Sequence, residues 1–403
     1  MKTQTHSVCI RLLQPCYAAA LMALSVALPL TASAATVEER LAALEKLVTD
    51  QAAEITSLKK ELGYTKKADA PKDAPASVAP VLVRPAGKET KLAIGGFVQA
   101  HAETGGAPDA RYTGVSDRFL VRRARLNATA TFAEYFSAKI EADFGANSIS
   151  TGSGARGQMT DGFIQWARYP EATVKFGQFK TPFGFEQLTS DTKIYTIERA
   201  LSNDRLTVSR QIGAALSGDL AEKRFGYSVG LFNGTSVNTG LNDNDDFMLV
   251  GRFSGVLLQG ESGSHKFKWT TAINGFTSDD TGAFTGRRTG LGADTQFAFG
   301  PLELQAEWLE NERDPATGTT LTSDGWSLLG SWTFDKHWRG VVRFDTFDLN
   351  TALANTETDE WTIGVDYMIK GDDLKLSLNY LRGEQPDPLG SDDRLIGRLQ
   401  VVF

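Results

Sequence analysis

From Leu92 to Phe403 one pattern repeats: apolar side chains at every second position for about ten residues, then a turn or a polar loop, then the pattern again. Phe136, Ala138, Ile140, Ala142 and Phe144 alternate with Lys139, Glu141 and Asp143. Trp361, Ile363, Val365, Tyr367 and Ile369 alternate with Thr362, Gly364 and Asp366, and Leu374, Leu376, Leu378 and Tyr380 with Lys375, Ser377 and Asn379. Such a strand has one dry face and one wet face. The connections alternate too. Tight turns at Tyr169-Pro170-Glu171, Leu220 to Arg224 and Gly300-Pro301 take turns with polar stretches at Thr104 to Asp117, Asn147 to Gly157, Asn233 to Asp246 and Asn311 to Asp324. About sixteen strands, with short turns on one rim and long loops on the other, predict an all-β, antiparallel transmembrane barrel. A soluble sandwich would explain the alternation, but not the aromatic residues gathered at strand ends.

The first ninety residues follow other rules. Residues 1–34 read as a secretory signal, with Lys2 and Arg11 before an apolar run from Ala18 to Leu30 and a small-residue cleavage site at Ala32-Ser33-Ala34. Both cysteines, Cys9 and Cys16, fall inside it, so the exported chain is expected to carry no disulfide, zinc-thiolate site or cysteine nucleophile. After it, Val37, Leu41, Leu44, Val48, Gln51, Ile55, Leu58 and Leu62 form a heptad seam. Arg40, Glu45, Glu54, Lys59 and Glu61 flank it, so residues 35–63 are expected to be a short N-terminal coiled-coil helix preceding the barrel. Fewer than four heptads are marginal alone, so the subunits need a further contact. Residues 64–90, rich in Ala and Pro, read as a solvated linker, and residues 91–403 as the barrel.

No run of apolar residues long enough for a membrane-crossing helix occurs after the signal. Formal charge is −7 for the whole chain, and removing a signal with two basic and no acidic residues leaves 40 Lys+Arg against 49 Asp+Glu, a net −9. An acidic chain makes a poor partner for nucleic acid, yet it says nothing about the field inside a cavity. With the apolar parity toward lipid, the other parity lines a lumen. Arg123, Arg125, Lys139, Lys175, Arg252, Lys268, Arg288, Arg343, Lys375, Arg394 and Arg398 fall there, against Glu141, Asp143, Asp161, Asp294, Glu303, Glu307, Asp345 and Asp366. The basic excess would attract and partly dehydrate anions in a narrow pore. For any single cation, the plainer reading is a wall salt bridge. Carboxylates also crowd the loops, as at Asn242 to Asp246, where they serve solubility or bridge divalent ions to surface lipid.

One stretch breaks the rhythm. Between strands ending near Gln178 and beginning near Arg210 lies a loop rich in aromatic residues, Phe179 to Leu206, unusual if left in water. It is expected to fold into the barrel and narrow it, placing Lys180, Lys193, Arg199 and Arg205 at the constriction.

The segment Phe179 to Leu201, with Lys-Thr-Pro-Phe, Phe-Glu-Gln-Leu-Thr-Ser and Glu-Arg-Ala-Leu, closely resembles the phosphate-selective porin O and P family. So do Arg-Arg-Ala-Arg-Leu at Arg122 to Leu126 and the closing Gly-Arg-Leu-Gln-Val-Val-Phe, whose terminal Phe resembles the end of outer-membrane barrels. The resemblance implies a sixteen-stranded, homotrimeric porin of the bacterial outer membrane, in contact with its lipid and passing small inorganic anions such as phosphate. It carries Arg123, Arg125, Lys180 and Arg199 over as candidate constriction residues; the wall pattern adds Lys139, and the loop Lys193 and Arg205. Passive diffusion calls for no cofactor and no catalytic residue. His101, His265 and His337 have no motif context for catalysis, and no metal-ligand run or nucleotide fingerprint appears. The alternatives are a non-specific diffusion porin and an envelope tether acting through the coiled coil.

Overall fold

The computed structural model describes residues 46, 50, 81–83, 90–146, 149, 154 and 156–403. The signal, the coiled coil and most of the linker lie outside the described residues; within 35–63, only Lys46 and Asp50 are described, both helical. A contact boundary separates Met1–Ala76 from Ser77–Phe403.

The second unit is built on one sheet. A three-residue strand, β1 (Val81–Val83), taken from the segment read as linker, pairs antiparallel with the start of β2 (Lys91–Gly105). From β2 onward sixteen strands run in meander order: β3 (Arg118–Phe132), β4 (Phe136–Asp143), β5 (Gln158–Tyr169), β6 (Ala172–Lys180), β7 (Arg210–Leu220), β8 (Phe225–Phe232), β9 (Met248–Ser262), β10 (His265–Thr281), β11 (Thr285–Phe299), β12 (Leu302–Pro315), β13 (Leu321–Thr333), β14 (Trp338–Asp348), β15 (Glu357–Lys370), β16 (Leu374–Gln385) and β17 (Gly390–Val402). Each pairs antiparallel with its neighbours, and β17 returns to β2 in register from Arg394↔Gly105 to Val402↔Phe97, so the barrel closes. Closure leaves no strand edge to face hydrocarbon, where an unpaired peptide group costs several kcal/mol. Phe403 completes the seam by exchanging both backbone hydrogen bonds with Gly96, at 2.9 Å each. Gly96 is needed there: a Cβ on it would stand 2.9 Å from the Phe403 ring.

The two rims differ as the alternation predicts. One carries connections such as 170–171, 263–264 and 300–301; the other carries 106–117, 144–157, 181–209 and 233–247. The loop expected at Asn311 to Asp324 is shorter. β12 and β13 extend toward each other because Asn311, Glu312 and Arg313 continue the ladder opposite Ser323, Thr322 and Leu321, leaving 316–320 as the connection. Side chains obey the pleat. Ile140 (64% exposed), Leu328, Trp361 and Ile363 point outward, while Gln99, Arg343, Asp345 and Arg398 are buried inside. Among the described residues no helix is long and apolar enough to cross a membrane.

The lumen is partly filled. The 181–209 connection turns inward and forms two short helices, α1 (Phe185–Leu188) and α2 (Leu201–Leu206), with α2 against β12, β13 and β14. Phe183 and Leu206 join lumenal Phe179, Phe232, Met248, Val250, Phe276 and Leu309 in one apolar cluster. A second joins Tyr112, Val115, Ile149 and Ile197 from three loops to Leu381 and Ile396 on β16 and β17. Burial of this apolar surface inside a polar cavity is what holds the loops in place.

Candidate anion path

The basic wall begins with a bulge. Gln99 on β2 pairs with Arg123, but Ala100 pairs with Val121, so Arg122 is skipped. A residue skipped in this way breaks the alternation, and Arg122, Arg123 and Arg125 are all buried on the lumenal side. Strict parity admits Arg123 and Arg125 and excludes Arg122; the only hint in the sequence was the run Arg-Arg-Ala-Arg itself.

These arginines meet the inward loop. Arg122 donates from Nε and Nη2 to the two carboxylate oxygens of Glu198, at 2.8 and 3.1 Å. Arg123 donates to Glu198 at 3.3 Å and to Gln99 Oε1 at 3.0 Å. Arg125 bridges Asp143 on β4, at 2.8 Å, and Asp191 on the loop. Arg199, on the loop itself, donates to Asp191 at 2.6 Å and to the Thr189 and Glu186 carbonyls at 3.0 Å each. Burial alone would raise the Asp191 carboxyl, but Arg199, Arg123 and Arg125 hold it well below the usual carboxylate range. Burial likewise opposes ionisation of Glu198, and Arg122, Arg123 and Arg398 overcome it, leaving that carboxyl well below its ordinary value. The reading from sequence had not singled out Asp191 or Glu198, although both sit among the cations of the same loop.

The remaining candidates stand elsewhere. Lys139 on β4 pairs with Asp161 at 2.8 Å and Glu141 at 3.0 Å, and its side chain is 25% exposed. Asp161 also takes Arg210, at 2.7 Å, from the first position of β7, a cation the sequence reading passed over. Lys180 donates to the Thr189 carbonyl at 2.9 Å. Lys193 and Arg205 are exposed, and neither they nor Lys180 and Lys175 form an ion pair among the described residues. Lys175 on β6 instead lies over the rings of Phe163 and Phe179, its Nζ 4.5 and 5.1 Å from their centroids, a contact that is favourable without cancelling the charge.

His101, the one histidine buried in the lumen among the described residues, accepts from Arg398 Nε at 2.8 Å and lies 3.3 Å from Glu103, a structural link between β2 and β17. Among the described residues no group of three or more His, Cys, Asp or Glu is placed to hold a metal ion. Chemically the arrangement offers fixed cations along a polar cavity, partly neutralised by carboxylates of the wall and the loop.

Comparison with known proteins agrees with this architecture. A family profile described as phosphate-selective porin O and P matches residues 98–295 and 272–403. No protein of curated function matches the chain significantly. Among solved structures, an anion-selective porin from Comamonas acidovorans superposes with a TM-score of 0.57 at 12% identity, covering 78% of this chain and 100% of that one. The outer membrane channel DcaP of Acinetobacter baumannii gives 0.56 at 15% identity, over 78% and 98%. Salmonella typhi OmpF, in complex with daunomycin, gives 0.56 at 12%, over 78% and 98%. At these identities the superpositions establish the fold.

Proposed function

Because the chain belongs to the phosphate-selective porin O and P family, we propose that this outer-membrane protein is a water-filled passive diffusion channel that prefers small inorganic anions, phosphate among them. The observation that carries the reading is the division of labour among its cations. Arg123, Arg125 and Arg199, with Arg122, are spent on Asp191 and Glu198, so the loop's buried carboxylates present no net negative field to the pore. Lys175, Lys180, Lys193 and Arg205 form no ion pair among the described residues, and fixed cations lining a cavity raise the local concentration of anions. Lys139, shared between Asp161 and Glu141, tunes the wall between these extremes. No step of turnover is required, and the three histidines outside the signal have no catalytic part in it.

A second reading, a non-specific diffusion pore, is favoured by the same ion pairs, since every arginine of the β3 ladder is matched by a carboxylate. One measurement separates the two: the zero-current potential of the purified protein in a planar bilayer across a salt gradient, with and without added phosphate. Anion preference with block by phosphate supports the first reading, and weak preference without block the second. The heptad seam of residues 35–63 supports self-association, and the family resemblance gives the number as three. Chemical crosslinking of the native protein, giving three bands and no higher species, is the expected result.

A further inference from the structure

The connection 106–117 is not a surface loop. Asp109, Arg111, Tyr112 and Val115 are all buried, and the segment turns down into the lumen beside the inward 181–209 loop. Three features hold it there. Arg111 takes Asp109 through Nε and Nη2, at 3.0 and 2.8 Å, lies 3.4 Å from Glu360 on β15, and donates through Nη1 to the Arg199 carbonyl at 2.9 Å. One guanidinium thus ties its own loop, the wall and the other inward loop together. Arg394 on β17 donates to the carbonyls of Gly105 and Gly106 at one stem and of Ser116 at the other, at 2.9, 2.6 and 3.1 Å. On β16, Gly383 lets the backbone pass: a Cβ there would stand 1.7 Å from the Pro108 carbonyl oxygen.

The loop lies on the side of the lumen where the wall arginines are least exposed, Arg394 beneath it and Arg343 and Arg398 beneath the 181–209 loop. Side chains of Arg343, Arg394 and Arg398 on β14 and β17 are at most 2% exposed. Those of Lys139, Arg252 and Arg288 on β4, β9 and β11 are 25%, 13% and 23% exposed. These cations are more accessible on the β4–β11 side than on the β14–β17 side.

On the reading of the barrel as an anion channel, we infer that the 106–117 loop is a second, fixed constriction element. It is positioned by Arg111, closes the β14–β3 side of the lumen, and leaves the β4–β11 side as the ion path. A pore whose cross-section is set by two interlocked loops widens when their shared tie is cut. Arg111→Ala should therefore raise single-channel conductance about twofold or more and admit larger neutral solutes, such as polyethylene glycols that the parent excludes. Gly383→Leu, which removes no charge, should do the same by displacing Pro108. Unchanged conductance and unchanged solute cut-off in both folded variants would overturn the assignment. Should Arg111→Ala not assemble, Val115→Cys decides the matter in an otherwise native chain, with the parent as the labelling baseline. Protection of the new thiol from a membrane-impermeant thiol reagent agrees with a fixed loop, and rapid modification contradicts it. The zero-current potential reports the anion reading separately. A parent channel that prefers cations would sink that reading, while a widened Gly383→Leu pore would leave the loop assignment standing.

Discussion

The two sides of this lumen use the same residue types to opposite ends. Between β14 and β3, arginine and carboxylate meet at hydrogen-bond distance, as in Arg343 with Asp345 and Glu360 and in Arg122 with Glu198, and the groups are nearly inaccessible. Between β4 and β11 the cations are partly wet, and Lys175 has no ion-pair partner among the described residues. In the first region charge serves as mortar, because a buried guanidinium that loses its carboxylate partner is costly. In the second, Lys139, Arg252 and Arg288 also pair with carboxylates but stay partly exposed, and Lys175 rests on aromatic rings instead. A lumenal arginine is therefore no evidence of an ion-binding role until its partners are known.

The contrast can be broken most directly by reversing charge on the wet side. Lys175→Glu combined with Lys180→Glu should carry the zero-current potential from anion preference to cation preference, whereas an unshifted potential would show that the path runs elsewhere. The next largest effect belongs to the packed side. Glu198→Gln leaves Arg122, Arg123 and Arg398 short of their shared carboxylate, and loss of one partner from a buried ion pair costs about 3–5 kcal/mol. Denaturant unfolding in detergent should report a loss of that order, with a noisier open channel. A loss no larger than that of a surface variant would contradict the mortar role.

Acid sharpens the comparison. Asp191 and Glu198 are held well below the ordinary carboxylate range, so their stabilisation is present above their unfolded-state values near pH 4 and is lost as pH falls through the lower folded ones. The share of stability that depends on Glu198, read as the difference between the parent and Glu198→Gln in denaturant unfolding, should stay level from pH 8 to about pH 4 and fall only in stronger acid. A difference that titrates between pH 5 and 7 would show that Glu198 does not hold the loop. The smallest effect is expected outside the lumen. Arg287→Ala, which breaks the exposed pair with Asp279, should leave the melting temperature and the conductance as they are.

How much of this was legible beforehand follows from range. Alternation at Phe136 to Phe144 or Trp361 to Ile369 is a property of neighbours, and it sorted wall from lipid face correctly at Lys139, Arg343, Lys375 and Arg398. Length and aromatic content likewise sufficed to turn the 181–209 loop inward. The bulge beside Gln99 was not legible, because a skipped residue on β3 is defined only by its partner strand, and with it Arg122 was lost. The 106–117 loop was misjudged as an ordinary rim loop, since its polar composition suits water and its burial depends on Arg394, Gln385 and Gly383, far along the chain.

What the sequence determined by itself was therefore the period of the wall, the number of strands to within counting, and which residue types face inward. These follow from a two-residue repeat that every strand carries locally. Which of those inward charges are spent and which are free was decided by the closed barrel alone. Pairs such as Arg111 with Glu360, 249 residues apart, and Arg398 with His101, 297 apart, exist only after closure and loop packing bring them within 3.4 Å. An ion's view of the pore is written in those distances, and no window along the chain contains them.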